Sequence, residues 1–193
     1  NGMPFQGWLE VNIDQGIDKA AGQGTLKVSE LRGVPMPIKL GDKVQVLIDA
    51  TPVLTGHVHE FQGELDKGDG HGPGHHWMTC TLRDQTQDFI DSTVGPKLKL
   101  KAPIPLKDVL KKTLGVMGLG HIGVVDHINP EVFKHGEVVS AAIDDRGFAF
   151  AEKFAEKRQV LLGTDGKGNI TIDRNRRIRA GGALISLFED SPL

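Results

Sequence analysis

Apolar and polar residues alternate through the first half of the chain with the period of two that marks a half-buried strand. In Trp8-Leu9-Glu10-Val11-Asn12-Ile13, the residues Leu9, Val11 and Ile13 share one face, with polar partners between them. Leu26 and Val28 repeat the pattern after a Gly22-Gln23-Gly24 break. Two further strands are predicted over 43–49 and 53–60, joined by Ala50-Thr51-Pro52. Gly56 lies inside the second, where glycine signals a bulge or a close backbone approach. A loop rich in Gly and His comes next, then a fifth strand over 77–82. Short strands with frequent turns predict a small β-barrel or sandwich.

The pattern changes near Pro96. Lys97-Leu98-Lys99-Leu100-Lys101 alternates strictly, and its lysines suit an exposed strand edge. Pro105 opens a predicted helix through Leu114, with Leu106, Val109, Leu110 and Leu114 on one face. A short strand is expected over 122–126. A second helix is expected from Val138 or Ile143 to Arg158, burying Phe150, Ala151, Phe154 and Ala155. Apolar runs at 160–162 and 169–172 flank Asp165-Gly166-Lys167-Gly168, a hairpin signal. The run 183–188 returns to strand. The fold class is therefore mainly β with an α+β part.

Composition narrows the function classes. With 38% hydrophobic and 25% charged residues, the chain fits an ordinary folded protein. A net charge of −2 gives no global attraction to nucleic acid or acidic lipid. Cys80 is the only cysteine, which excludes an intramolecular disulfide and a cysteine metal cluster. No apolar run approaches the roughly 20 residues of a membrane-spanning helix, and the N-terminus does not resemble a signal peptide. The chain opens at Asn1 and closes at Leu193 after a strand-like run, which reads as part of a longer protein.

Several motifs have both a chemical and a structural reading. Gly118-Leu119-Gly120-His121-Ile122-Gly123 spells a dinucleotide fingerprint. That fingerprint needs a strand before it and a helix after it, and here the order is reversed, as at a helix C-cap. His57 and His59 share a strand face, and with His71, His75 and His76 they supply enough imidazoles for a zinc or nickel site. A glycine-rich loop gives such ligands no rigid frame, so an exposed loop tip is the simpler reading. Arg174, Arg176, Arg177 and Arg179 form a basic cluster without an aromatic platform for bases, which favours a protein contact or a solvated face over nucleic acid. Asp84, Asp88 and Asp91 are spaced for one helical face, with Asp84 or Thr86 as an N-cap; Asp144 and Asp145 form a second acidic pair. No nucleophile elbow, His-Glu-x-x-His or phosphate-binding loop is present, so no catalytic residue and no cofactor is expected.

Three stretches together resemble the central baseplate hub proteins of Mu-like contractile-tailed phages. The first is Trp8–Ile13 in the order quoted above, then Gly16-Ile17-Asp18-Lys19-Ala20-Ala21. The second is Leu40-Gly41-Asp42-Lys43-Val44-Gln45-Val46 with Val53-Leu54-Thr55-Gly56-His57-Val58. The third is Leu82-Arg83-Asp84-Gln85-Thr86-Gln87-Asp88-Phe89-Ile90-Asp91-Ser92. Related hub domains occur in other contractile phages and in the N-terminal part of type VI secretion spike proteins.

The resemblance implies a homotrimer that joins a six-fold tail tube to a three-fold central spike, alongside other baseplate proteins, in the virion after assembly in the host cytoplasm. It implies a β-barrel hub domain over 1–95, completed by about 179–193, an inserted α+β domain over 96–178, and a second barrel beyond residue 193. Outer strands of the first barrel then carry the contacts, with Val44, Val46, Ile48, Val53, Thr55 and His57 as interface candidates. Arg174, Arg176 and Arg177 are candidates in the linker. The alternatives are the hub part of a type VI-like spike and, from another class, a His-rich metal-binding enzyme.

Overall fold

The computed structural model describes residues 8–16, 20–29, 38–66, 75–95, 98–137, 139–142 and 144–174. The predicted strand at 183–188 lies outside them. The first half forms β1 (Trp8–Asp14), β2 (Gln23–Ser29), β3 (Lys43–Ile48), β4 (Thr51–Asp66) and β5 (His75–Asp84). These make one antiparallel sheet, a curled half-barrel, in the order β1-β2-β5-β4-β3.

Register explains the core of this sheet. Val11 faces Leu26, Leu26 faces Cys80, and Cys80 faces Phe61, so one row of apolar side chains crosses four strands. The next row runs Ile13, Gly24, Leu82 and Val58. Gly24 is the gap in that row, and a Cβ there would lie 2.8 Å from the Ile13 Cδ1. Val28, Leu54, Val58, Cys80 and Leu82 are buried, with Ile13, Leu26, Val44, Val46 and Phe61 packed against them. Burying one such side chain contributes about 2 kcal/mol.

β4 differs from the expectation in length. It starts before Pro52 and continues past Glu60 to Asp66, paired throughout with β3 or β5. Pro52 is tolerated because the ladder to β3 shifts register between Val46 and Leu47. The β3–β4 connection is therefore Asp49-Ala50, both at positive φ (47° and 63°), in place of the expected Ala50-Thr51-Pro52. A bulge between Val58 and Glu60 inserts one residue, which returns Phe61 to the core face. Gly56 is the predicted close approach: a Cβ there would stand 1.7 Å from the Arg83 carbonyl oxygen.

The second half builds a separate core. It contains α1 (Gln87–Asp91), β6 (Lys99–Leu100), α2 (Leu106–Val116), β7 (Val124–Asp126), β8 (Val139–Ser140), α3 (Gly147–Lys157), β9 (Leu161–Thr164) and β10 (Ile170–Asp173). β7, β10 and β9 form a mixed three-stranded sheet, and β6 pairs with β8. The lysine-rich alternation thus yields only two strand residues, because Leu98 turns inward and is buried.

α2 buries Leu106, Val109, Leu110, Thr113 and Leu114, the spacing of one helix face. It ends in the Schellman pattern. Gly118 sits at φ 76°, its N–H donates to the Gly115 carbonyl, and the Leu119 N–H donates to the Leu114 carbonyl at 2.8 Å. α3 begins at Gly147, later than the Val138 or Ile143 start expected from sequence. Val139 is instead a strand residue, and positions 138 and 143 fall outside the described residues. Gly147 is required there, because a Cβ would meet the Phe89 carbonyl oxygen at 2.6 Å.

Candidate assembly interface

Among the described residues, five of the eight exposed large apolar side chains lie on or just before the outer strands of the first sheet; Val116, Val132 and Leu161 are the others. Among the described residues β1 pairs only with β2, and β3 only with β4. Leu47 and Ile48, at the end of β3, are 53% and 57% exposed; Trp8 and Leu9, at the start of β1, are 55% and 59% exposed. Leu40, just before β3, is 66% exposed. Unpaired strand edges beside exposed large apolar side chains are self-associating surfaces. In the sheet they lie at opposite edges and toward opposite ends, since β1 and β3 flank the other three strands.

The interface candidates from sequence divide on this geometry. Ile48 belongs to the exposed end. Val44 and Val46 are half-buried and pack inward on the sheet core, so their outward neighbours Lys43 and Gln45 form the accessible side. Val53 and Thr55 are engaged within the chain. The Val53 carbonyl accepts from the Gln15 amide, and the Thr55 hydroxyl donates to the Gly166 carbonyl at 2.8 Å. His57 is half-buried opposite Arg83. Arg174 is exposed, while Arg176 and Arg177 lie outside the described residues. Leu47, which the sequence reading missed, had a signal: Val46-Leu47-Ile48 is three apolar residues in a row, which alternation cannot bury on one face.

Asp84 takes a different role from the one its spacing suggested. It ends β5 and does not belong to α1, so the three aspartates do not share a helix. It is fully buried in the same row as Gly56, on the core side of the sheet. Its carboxylate accepts from the Thr86 N–H at 3.0 Å, the Thr86 hydroxyl at 3.1 Å and the Thr164 hydroxyl at 3.0 Å. Thr86 is the residue before α1 but makes no side-chain cap; its hydroxyl instead reaches the Ala20 carbonyl. Burial pushes the Asp84 carboxyl above the ordinary aspartate range, against these hydrogen bonds, which pull it down. Asp91 pairs loosely with Arg83 at 3.4 Å on the surface. Asp145 pairs with Lys153 and accepts from the Ala142 N–H, which lowers its carboxyl.

Other candidate chemistry is not assembled. Among the described residues no group of three His, Cys, Asp or Glu side chains forms a metal site. His59 is exposed beside the β4 bulge, His71 lies outside the described residues, and His75 and His76 are described only in their backbone. The Gly118–Gly123 motif is a helix cap and then a loop into β7, with the N–H groups of Gly118, Leu119 and Ile122 donating within the chain. No helix of the described residues is long and apolar enough to cross a membrane.

The exposed residues of β1 and β3 fall within a stretch that matches a known family. Residues 1–71 match the family described as Mu phage baseplate assembly protein GpP-like, N-terminal. No curated protein sequence matches the chain. The fold is similar to the 43 kDa tail protein of prophage MuSo2 from Shewanella oneidensis, at 21% identity and a TM-score of 0.72, over 88% of this chain and 51% of that one. It is also similar to a tail protein from Neisseria meningitidis MC58, at 17% identity and a TM-score of 0.67, over 86% and 46%. A third likeness is to prophage tail protein gp18 from Listeria monocytogenes EGD-e, at 8% identity and a TM-score of 0.54, over 85% and 43%. The chain spans about half the length of these tail proteins.

Proposed function

We propose that the chain is a structural part of a contractile phage tail baseplate, the first half of a trimeric central hub that joins a six-fold tail tube to a three-fold spike. The observation that carries this reading is the match of residues 1–71 to the baseplate assembly family, on the same strands that expose the unpaired edges. In this reading the half-barrel is the hub domain over 1–95, closed by the chain near 179–193, and the α+β domain over 96–178 is inserted into it. A related second barrel lies beyond residue 193, so three subunits present six barrels to the tube.

Such a protein works through interfaces. The apolar ends of the outer strands that stay exposed in one copy are covered by neighbouring copies or by tube subunits, and closed symmetry sets the number of copies. Leu47 and Ile48 at one edge and Trp8 and Leu9 at the other suit a head-to-tail ring, where one patch meets a different patch of the next copy. Exposed lysines at positions 39, 43, 99 and 101 keep adjoining surfaces soluble until assembly.

The test is location. Phage particles carrying an epitope-tagged version of the protein are labelled with gold-conjugated antibody and imaged by electron microscopy. The proposal expects label at the baseplate end of the tail. Label along the tube, on the head, or absent from particles would overturn it. The hub part of a type VI-like spike differs in its continuation beyond residue 193, and in that case no phage particle carries the label.

A further inference from the structure

The two apolar cores of the chain share no residue. β1–β5 pack on one another, and the helices pack with one another and with the later strands. Among the described residues the turn of the β9–β10 hairpin makes the part-buried polar contacts that cross between the two, beside the loose surface pair of Arg83 with Asp91. Thr55 donates its hydroxyl to the Gly166 carbonyl at 2.8 Å, Gln85 donates its side-chain amide to the Gly168 carbonyl at 2.8 Å, and Thr164 donates to the Asp84 carboxylate at 3.0 Å. These residues are 80 to 111 positions apart in sequence.

Each side is shaped by contacts of its own. The turn is held by Asp165, whose carboxylate accepts from the N–H groups of Lys167 and Asn169 and from the Asn169 side-chain amide. Gly166 and Gly168 stand at φ 69° and 81°, and both are buried. A Cβ on Gly166 would lie 2.8 Å from the Pro52 carbonyl oxygen, so the turn is seated directly on the β4 backbone. On the receiving side, the Gln85 N–H donates to the Thr55 carbonyl at 3.0 Å, which sets the two side-chain donors next to each other.

We infer that the β9–β10 turn is a polar key seated in a socket of Thr55, Gln85 and Asp84, a joint that couples the two cores and opens without either core unfolding. The contact uses two neutral hydrogen bonds to backbone carbonyls, one hydrogen bond to the Asp84 carboxylate and close glycine packing in place of a shared apolar core. Neutral hydrogen bonds of this kind contribute modestly because water competes for the same groups. Such a joint holds two bodies in register and releases them at lower cost than peeling apart a common core.

The chain carries its own probes. Both tryptophans, Trp8 and Trp77, lie in the five-stranded sheet, while all three helices among the described residues belong to the second half. Urea unfolding monitored by tryptophan fluorescence therefore reports the sheet, and ellipticity at the helix band reports the other core. In the wild type the two curves coincide. In a Thr55→Val, Gln85→Leu double variant the fluorescence midpoint falls below the ellipticity midpoint by about 1 M urea. The sheet is the side that falls, because among the described residues it buries five apolar residues in its core against twenty in the other. Protection of Cys80, buried in the sheet core, from thiol labelling confirms that the sheet of the variant is folded without urea. If the double variant exposes Cys80 at once, the single Thr55→Val variant is read in the same way. Thr55→Ser keeps the hydroxyl and restores coincident curves. Coincident curves in the joint variants, or separate curves already in the wild type, would overturn the inference.

Discussion

Gly56 lies flat against the Arg83 carbonyl, with its missing Cβ only 1.7 Å from that oxygen. The contact sits where β4 and β5 pair at the end of the sheet, in the row that also holds Asp84. A methyl group has no free direction there, because the obstacle is backbone.

Gly56→Ala is expected to cost at least about 4 kcal/mol, enough to separate β4 from β5 at this end. Gly63→Ala is the control: it lies in the same strand with nothing within 4 Å of its added Cβ, and it should change stability by less than about 1 kcal/mol. Urea denaturation of both variants, read by tryptophan fluorescence, checks the pair. Equal midpoints would mean that the strands part easily at Gly56.

Asp84 makes a pH-dependent prediction. Burial raises its carboxyl in the folded state, so the native protein keeps this proton over a range where the unfolded chain has lost it. Its contribution is therefore greatest below the ordinary aspartate value and is lost as pH rises through the raised native value. Asp84→Asn cannot titrate. The unfolding free energy of the wild type, measured relative to Asp84→Asn, should fall as pH rises from about 4 and then level off. Shifts of other carboxylates, such as the lowered Asp145, cancel in that difference. Parallel curves across the range would show that the hydrogen bonds cancel the burial, and a difference that rises with pH would show that they outweigh it. Asp84→Ala leaves the Thr86 N–H without its acceptor and should cost about 3 kcal/mol near pH 4, a cost that shrinks as pH rises because alanine, like asparagine, cannot titrate.

Arg158 anchors the loop before β8. Its guanidinium donates to the carbonyls of Glu131 and Val132, pairs with the Glu137 carboxylate at 2.8 Å, and lies 3.9 Å over the Phe133 ring. The planar fork serves several acceptors and the ring at once, which a lysine ammonium cannot do. Arg158→Ala and Arg158→Lys should both lower stability, the first by about 2 kcal/mol. Full retention in Arg158→Lys, measured by thermal unfolding, would reduce the anchor to a simple charge.

The sequence disclosed elements wherever a local pattern matched the local environment. Leu26 and Val28, the face of α2, and the glycines of the β9–β10 turn each arise from a period or a required dihedral. It misled where a distant contact decided the outcome. Val139 became a strand residue because β6 was there to pair with it, and the start of α3 moved to Gly147, which packs on Phe89. Asp84 read as a helical acid because its bond to Thr164 spans 80 positions. The candidate interface was half legible. The resemblance to hub proteins pointed to β3 and β4, but only the structure separates the inward Val44 and Val46 and the engaged Thr55 from the exposed Leu47 and Ile48.

Assembly through those exposed edges is the central claim, and absolute mass in solution tests it most directly. Light scattering behind size exclusion should give three times the mass of one chain for the wild type. A Leu47→Glu, Ile48→Glu variant should elute as a folded monomer, because both side chains are exposed and neither is needed by the core. A wild type that remains monomeric at every concentration, or a variant that trimerises as well as the wild type, would contradict the account.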